Sequence, residues 1–226
     1  MIKNEPISCP SMRYAIKERL LLCCLVLYCL LATSASPLQA GYIYPLQIFT
    51  TNGSFYDSPD LNLYAEVTDP ATGQVDFTFN NESLVNSCIS EIYFEDGLLL
   101  GSATITEGPE TLFHYSAKPK NPPGYNILEP LFVTTQGLSF DSEPAPPKNG
   151  ISPAEWVRIT FDLENGGTFE TVINQLNTGA LRIAAHIISL PDGSSESAVT
   201  VPEPATICLL GLGTLVLLRR RRHTPL

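Results

Sequence analysis

The chain has 226 residues, and 23 acidic against 13 basic side chains give it a formal net charge of −10 at neutral pH. An exterior of that sign repels phosphate backbones, which excludes a nucleic-acid-binding role. Once non-globular ends are set aside, the length leaves room for one domain of roughly 150 residues around a single core.

The charges are unevenly placed. Lys3, Arg13, Lys17 and Arg19 sit at the start and Arg219, Arg220, Arg221 and Arg222 at the finish, with only Lys118, Lys120, Lys148, Arg158 and Arg182 between them. The acidic middle reads as a solvated exterior. Calcium is the only cofactor it suggests, and no segment has the spacing of an EF-hand loop, so no cofactor is expected. Cys9, Cys23, Cys24, Cys29 and Cys208 fall in the two ends, leaving Cys88 alone in the middle. A lone thiol forms no internal disulfide, so the fold must rest on its apolar core, with Cys88 as a small buried hydrophobe.

From Met12, an alternative start, the sequence runs "MRYAIKERLLLCCLVLYCLLATSASPLQAG". Basic residues, an uncharged stretch over 20–32 and then small residues form the tripartite order of a secretory signal peptide. It is assigned to residues 1–40, with cleavage after Ala40 and alternatives at Ala35 and Ser36. About a dozen apolar residues are short for a membrane span, which favours removal. Cys29 follows Tyr28 rather than a pair of small residues, so lipidation is not expected. The signal implies export through the Sec machinery.

Residues 41–200 have mostly a period of two. "LNLYAEVTD" turns Leu61, Leu63, Ala65 and Val67 inward, and "GQVDFTFNN" does so with Val75, Phe77 and Phe79. "SCISEIYFEDGLLLGSATI" reads as two strands joined as a hairpin at Asp96-Gly97. A further strand is expected over 131–135, and "EWVRITFDL" buries Val157, Ile159, Phe161 and Leu163. In "TFETVINQLNTG", Phe169, Val172, Ile173 and Leu176 recur at helical spacing, and Gly179 supplies the stop. "ALRIAAHIISL" is a strand closed by the turn at Pro191, Asp192 and Gly193. The proline-rich stretches "KPKNPPGYN" and "SEPAPPKNG" belong on the surface. Many short strands and one short helix predict an all-β fold, an antiparallel β-sandwich.

Chemistry is harder to find. No G-x-S-x-G elbow is present, and "DGSSES" follows a turn. His186 lies within an apolar strand and reads as a satisfied histidine, while His114 has aromatic neighbours. No H-E-x-x-H or cluster of His and Cys supports a zinc site. Glu91, Glu95, Asp96, Glu155, Asp162 and Glu164 could supply a glycosidase pair, as any acidic domain could. Tyr42, Tyr44, Tyr125 and Trp156 could stack on sugar rings or pack in the core and loops.

The last 26 residues read "VPEPATICLLGLGTLVLLRRRRHTPL". Residues 207–218 are uncharged but would span only about 18 Å as a helix, short of a hydrocarbon layer roughly 30 Å thick. Four arginines then stop translocation, and Pro202 and Pro204 hold "VPEP" extended outside any helix. A VPEP motif, a short apolar helix with Gly211 and Gly213, and a terminal arginine cluster resemble the PEP-CTERM sorting signal.

The resemblance implies that residues 201–226 direct the chain to an exosortase during export across a Gram-negative envelope. Pro202, Glu203 and Pro204 are then the implied recognition residues, and Arg219, Arg220, Arg221 and Arg222 the stop-transfer signal. "HTPL" trails the arginines, a departure that lengthens the cytoplasmic end. The blocks "ISEIYFEDG", "EWVRITFDL", "GALRIAAHI" and "GSSES" also resemble a recurrent ectodomain of PEP-CTERM proteins. That likeness carries no assigned activity. The expected product is a non-enzymatic surface or extracellular-matrix protein, structural or polysaccharide-associated in a biofilm, held in the membrane by its tail before processing. A secreted carbohydrate-active hydrolase and a calcium-stabilised adhesion module are the alternatives.

Overall fold

The computed structural model describes residues 41–115, 120–143 and 148–201. The expected signal peptide, the PEP tripeptide, the apolar run and the arginines lie outside the described residues.

Ten strands form one antiparallel sheet: β1 (Tyr42–Ile48), β2 (Leu63–Thr68), β3 (Gln74–Asn81), β4 (Cys88–Glu95), β5 (Leu100–Glu107), β6 (Phe113–Tyr115), β7 (Ser139–Ser142), β8 (Trp156–Leu163), β9 (Arg182–Ile188) and β10 (Glu196–Thr200). Their spatial order is β5-β8-β3-β2-β1-β10-β9-β4-β7-β6. β1 is shared. Its first residues pair with β2 as far as Pro45 with Tyr64, and Leu46, Gln47 and Ile48 pair with β10. Proline fits at the changeover because it has no amide hydrogen for a ladder.

The expected two-layer sandwich is therefore a single sheet that curls into a nearly closed barrel. Its edge strands β5 and β6 meet where the Tyr115 hydroxyl donates to the Ala103 carbonyl and accepts from the Ala103 amide. Val75, Phe77, Phe79, Val157, Ile159 and Phe161, turned inward as their alternation predicts, are fully buried. Phe161 lies edge-on to Phe77, Phe94 and Phe140, with ring centroids 5.8, 5.0 and 6.0 Å away. Rings from both halves of the sheet thus share one core.

Two expectations fail. β4 and β5 are consecutive but do not pair: β4 lies between β9 and β7, and β5 pairs with β8. The Asp96 carboxylate caps the Leu98, Leu99 and Leu100 amides, and Leu98 takes a left-handed φ of 84°. This redirects the chain across the barrel instead of back on itself. Residues 131–135 form no strand either. Thr135 donates to the Phe94 carbonyl, but the Val133 amide goes to the Glu95 carboxylate, and the segment lies as a strap over the sheet. Phe132 under that strap forms a second small core with Tyr93, Ala184 and Val199.

The predicted helix is α1 (Phe169–Thr178). The Thr168 hydroxyl accepts from the Thr171 amide, and Gly179 closes the helix at a φ of 74°. Val172 and Leu176 are its buried face, and Tyr44 donates to Asn177. Because α1 joins the end of β8 to the start of β9, it lies at one end of the barrel. Antiparallel pairing puts the start of β1 and the end of β10 at that α1 end, and the loops over 49–62 and 189–195 at the opposite end.

Candidate functional site

The fold makes a cleft where β1 leaves β2. Beyond Pro45 and Tyr64 the two strands part, and residues 46–48 face residues 61–63 across a space of about 460 Å³ walled by residues 55–58. Leu46 and Leu63 form a buried floor, whereas Gln47, Tyr56, Asp57 and Asn62 are exposed at the rim. Asn62 is steadied by Glu82, which also accepts from Tyr64. The volume falls in the range of small-molecule sites. An aromatic face beside two amides and one carboxylate can stack on a sugar ring and bond its hydroxyls.

A second polar feature crosses the outer face of the sheet. His114, Asp141, Glu91, His186 and Ser197 stand in register on β6, β7, β4, β9 and β10. Lys120 Nζ bridges Glu91 Oε1 at 2.9 Å and Asp141 Oδ2 at 2.8 Å. His186 Nδ1 lies 3.4 Å from Glu91 Oε2, which also accepts from the Tyr93 hydroxyl. Hydrogen bonds from His186, then Tyr93 and Lys120, outweigh burial and hold the Glu91 carboxyl at about 2. Burial, and then the Glu91 carboxylate, push the Tyr93 hydroxyl far up.

Ser197, His186 and Glu91 are in the order a serine nucleophile, base and orienting acid would need. Ser197 is wholly buried in mid-strand, however, with no turn to lift its Oγ toward a substrate. His186 is satisfied by Glu91, and His114 lies 3.4 Å from Glu143, far from it in sequence.

The six carboxylates singled out as a possible glycosidase pair do not meet in the cleft, whose lining includes only Asp57 as an acid. Glu91 serves the polar row, Glu95 pairs with Arg182, and Asp96 caps its turn. Glu155 accepts from the Ser152 amide, Asp162 accepts from Gln74 and Ser102, and Glu164 follows β8 at the α1 end. No group of three or more His, Cys, Asp or Glu among the described residues converges as a metal site.

Of the aromatic residues proposed for stacking, Tyr44 is buried, Tyr42 packs on Phe169, Tyr125 packs against the small core around Phe132, and Trp156 lies beneath Arg158. Tyr56 was missed. Its neighbourhood, "GSFYDSPD", carries turn residues but no period, and only the parting of β1 from β2 makes it a rim. Cys88 is buried as expected, and burial pushes its thiol up to about 12.

Residues 200–222 match the PEP-CTERM protein-sorting motif. The span contains Pro202, Glu203 and Pro204 and all four arginines, and it begins on the last residue of β10. The motif implies an exosortase as processing partner, export, and a membrane-held intermediate on the way to the surface. No curated protein and no solved structure matches the chain. Among the described residues no helix is long and apolar enough to cross a membrane.

Proposed function

We propose that this is a surface or extracellular-matrix protein whose barrel binds an uncharged polysaccharide without transforming it, after Sec export and exosortase processing of its tail. The observation that carries the reading is the cleft at the β1–β2 fork, where Tyr56 stands beside Gln47, Asn62 and Asp57 over a leucine floor. An acidic chain repels anionic polymers, which favours uncharged ones. A single carboxylate in the cleft favours binding over glycoside hydrolysis, which needs two.

The test has two arms. Intact mass and cell fraction, in the native host and in a strain lacking its exosortase, report the sorting. A surface form that has lost its tail only when the enzyme is present supports the reading; a full-length membrane form in both strains overturns the sorting half. Titration of the full chain with uncharged cello-, manno- and galacto-oligosaccharides reports the ligand. Tyr56→Ala should weaken binding by about ten-fold or more with the melting temperature unmoved, because the ring is exposed. Turnover of any of these glycans, or binding indifferent to Tyr56→Ala, defeats the binding half.

A further inference from the structure

The sorting motif has no separate linker from the domain. It starts at Thr200, which is itself inside the barrel wall: β10 lies between β1 and β9, all five of its residues are buried, and the Thr200 hydroxyl accepts from the Ile183 amide. Val201 alone then separates the sheet from Pro202. Even fully extended, residues 201–206 reach only about 20 Å, so an apolar run inserted in a bilayer from residue 207 keeps the barrel close to the lipid.

The end of the barrel from which the tail leaves is suited to that position. β1 begins there, so the mature N-terminus and the tail depart from the same end. Of the eleven large hydrophobic side chains exposed among the described residues, six belong to it: Tyr42 and Ile43 at the start of β1, Leu98 in the turn after β4, Leu131 and Val133 in the strap, and Val201. The strap residues are placed there by Arg182, the first residue of β9, which donates to the Pro130 and Leu131 carbonyls and stacks on Phe132. Tyrosine and aliphatic side chains around an exit point are what the headgroup boundary of a membrane accepts.

We propose that the α1 end of the barrel rests on the bilayer surface while the tail is held, with Tyr42, Ile43, Leu131, Val133 and Val201 in the lipid interface and the β1–β2 cleft turned outward. The inference rests on the sorting reading. It gives the membrane-held intermediate a defined orientation, because the cleft lies at the opposite end of β1 from the exit. It also limits processing, since any cut before residue 200 would remove part of an inner strand.

The single tryptophan of the chain makes this measurable. Trp156 starts β8 at the end away from the exit, so in vesicles of brominated phosphatidylcholine the full-length chain should show no quenching of its native fluorescence. Ile43→Trp in a Trp156→Phe background should be quenched by roughly two-fold, and Val133→Trp in the same background likewise. Both sites are exposed, 57% and 52%, so the substitutions should leave the fold intact.

A chain that stays out of the vesicles altogether overturns both the sorting reading and this inference. A chain that enters them by its tail yet leaves both introduced tryptophans unquenched overturns the inference alone. Shielding of those positions only when the exosortase is added assigns the face to the enzyme and likewise overturns it.

Discussion

The two halves of the barrel wall are covered differently. In β2 and β8 every second residue faces solvent, and the outward side chains form a polar surface in which Thr160 donates to Asp76, and Arg158 to Thr78. In β4, β7, β9 and β10 the outward face is largely covered, by the strap over Tyr93, Ala184 and Val199 and by Thr50 and Gly53 over Glu196, and β10 has no exposed residue. Roofing a sheet takes polar groups out of water along with apolar ones. Glu91 and Arg182 are paired there, but the hydroxyls of Thr134, Ser139 and Ser197 find no protein partner. Each orphaned hydroxyl costs about 1–3 kcal/mol. The uncovered half thus keeps its outward polar groups partnered at the surface, and the covered half trades some of its packing for orphaned polar groups.

The strongest way to erase the difference is to remove what the halves share. Phe161→Ala takes out a ring that touches Phe77 on one side and Phe94 and Phe140 on the other. It should cost about 3–5 kcal/mol in denaturant unfolding, with both halves lost in one transition. Separate transitions would mean that the halves fold independently.

A more selective break is Arg182→Ala, which frees the strap and leaves Glu95 without its cation. About 2–3 kcal/mol should be lost, and hydrogen exchange should rise at Tyr93 and Ala184 under the strap while β2 and β8 stay protected. Uniform loss of protection would contradict the comparison.

Acid should act on the covered half as well. Glu91 is held at about 2 in the folded chain against an ordinary value near 4.5, so it stabilises fully above the ordinary value. That contribution, about 2 kcal/mol, should fade as pH falls from about 5 toward 2. Glu91→Gln should flatten this part of the stability profile, and an unchanged profile would show that His186 and Lys120 do not govern it. The smallest effect has the opposite sign. Ser197→Ala removes one orphaned hydroxyl and should stabilise by about 1 kcal/mol on thermal unfolding. A loss of stability would show that the hydroxyl does find a partner.

The same contrast explains part of what the sequence reveals, although β4 and β9 of the covered half were also legible, as apolar β-branched runs. Alternation marks a strand with one wet face, so β2 and β8 stand out from their residues. "ESAVT" in β10 is buried on both faces and has no alternation to read, while β1 carries a proline and β6 and β7 are three and four residues long. The Asp96-Gly97 pair looked like a hairpin because local sequence shows that a turn occurs, not which strand receives the chain. α1 was visible from its helical spacing and from Gly179 as a local stop signal, whereas its start at the Thr168 cap was not read. The PEP-CTERM motif was legible as a contiguous address. The cleft was not, since Gln47, Tyr56 and Asn62 are neighbours only after β1 changes partners.

The Tyr115 seam has a further consequence for a chain whose sorting motif implies export toward the surface. Open β-edges invite neighbouring copies to join strand to strand. Here one phenol from β6 takes both backbone groups of Ala103 in β5 in place of another strand. A neighbouring copy therefore finds no free rung at Ala103 on which to add a strand.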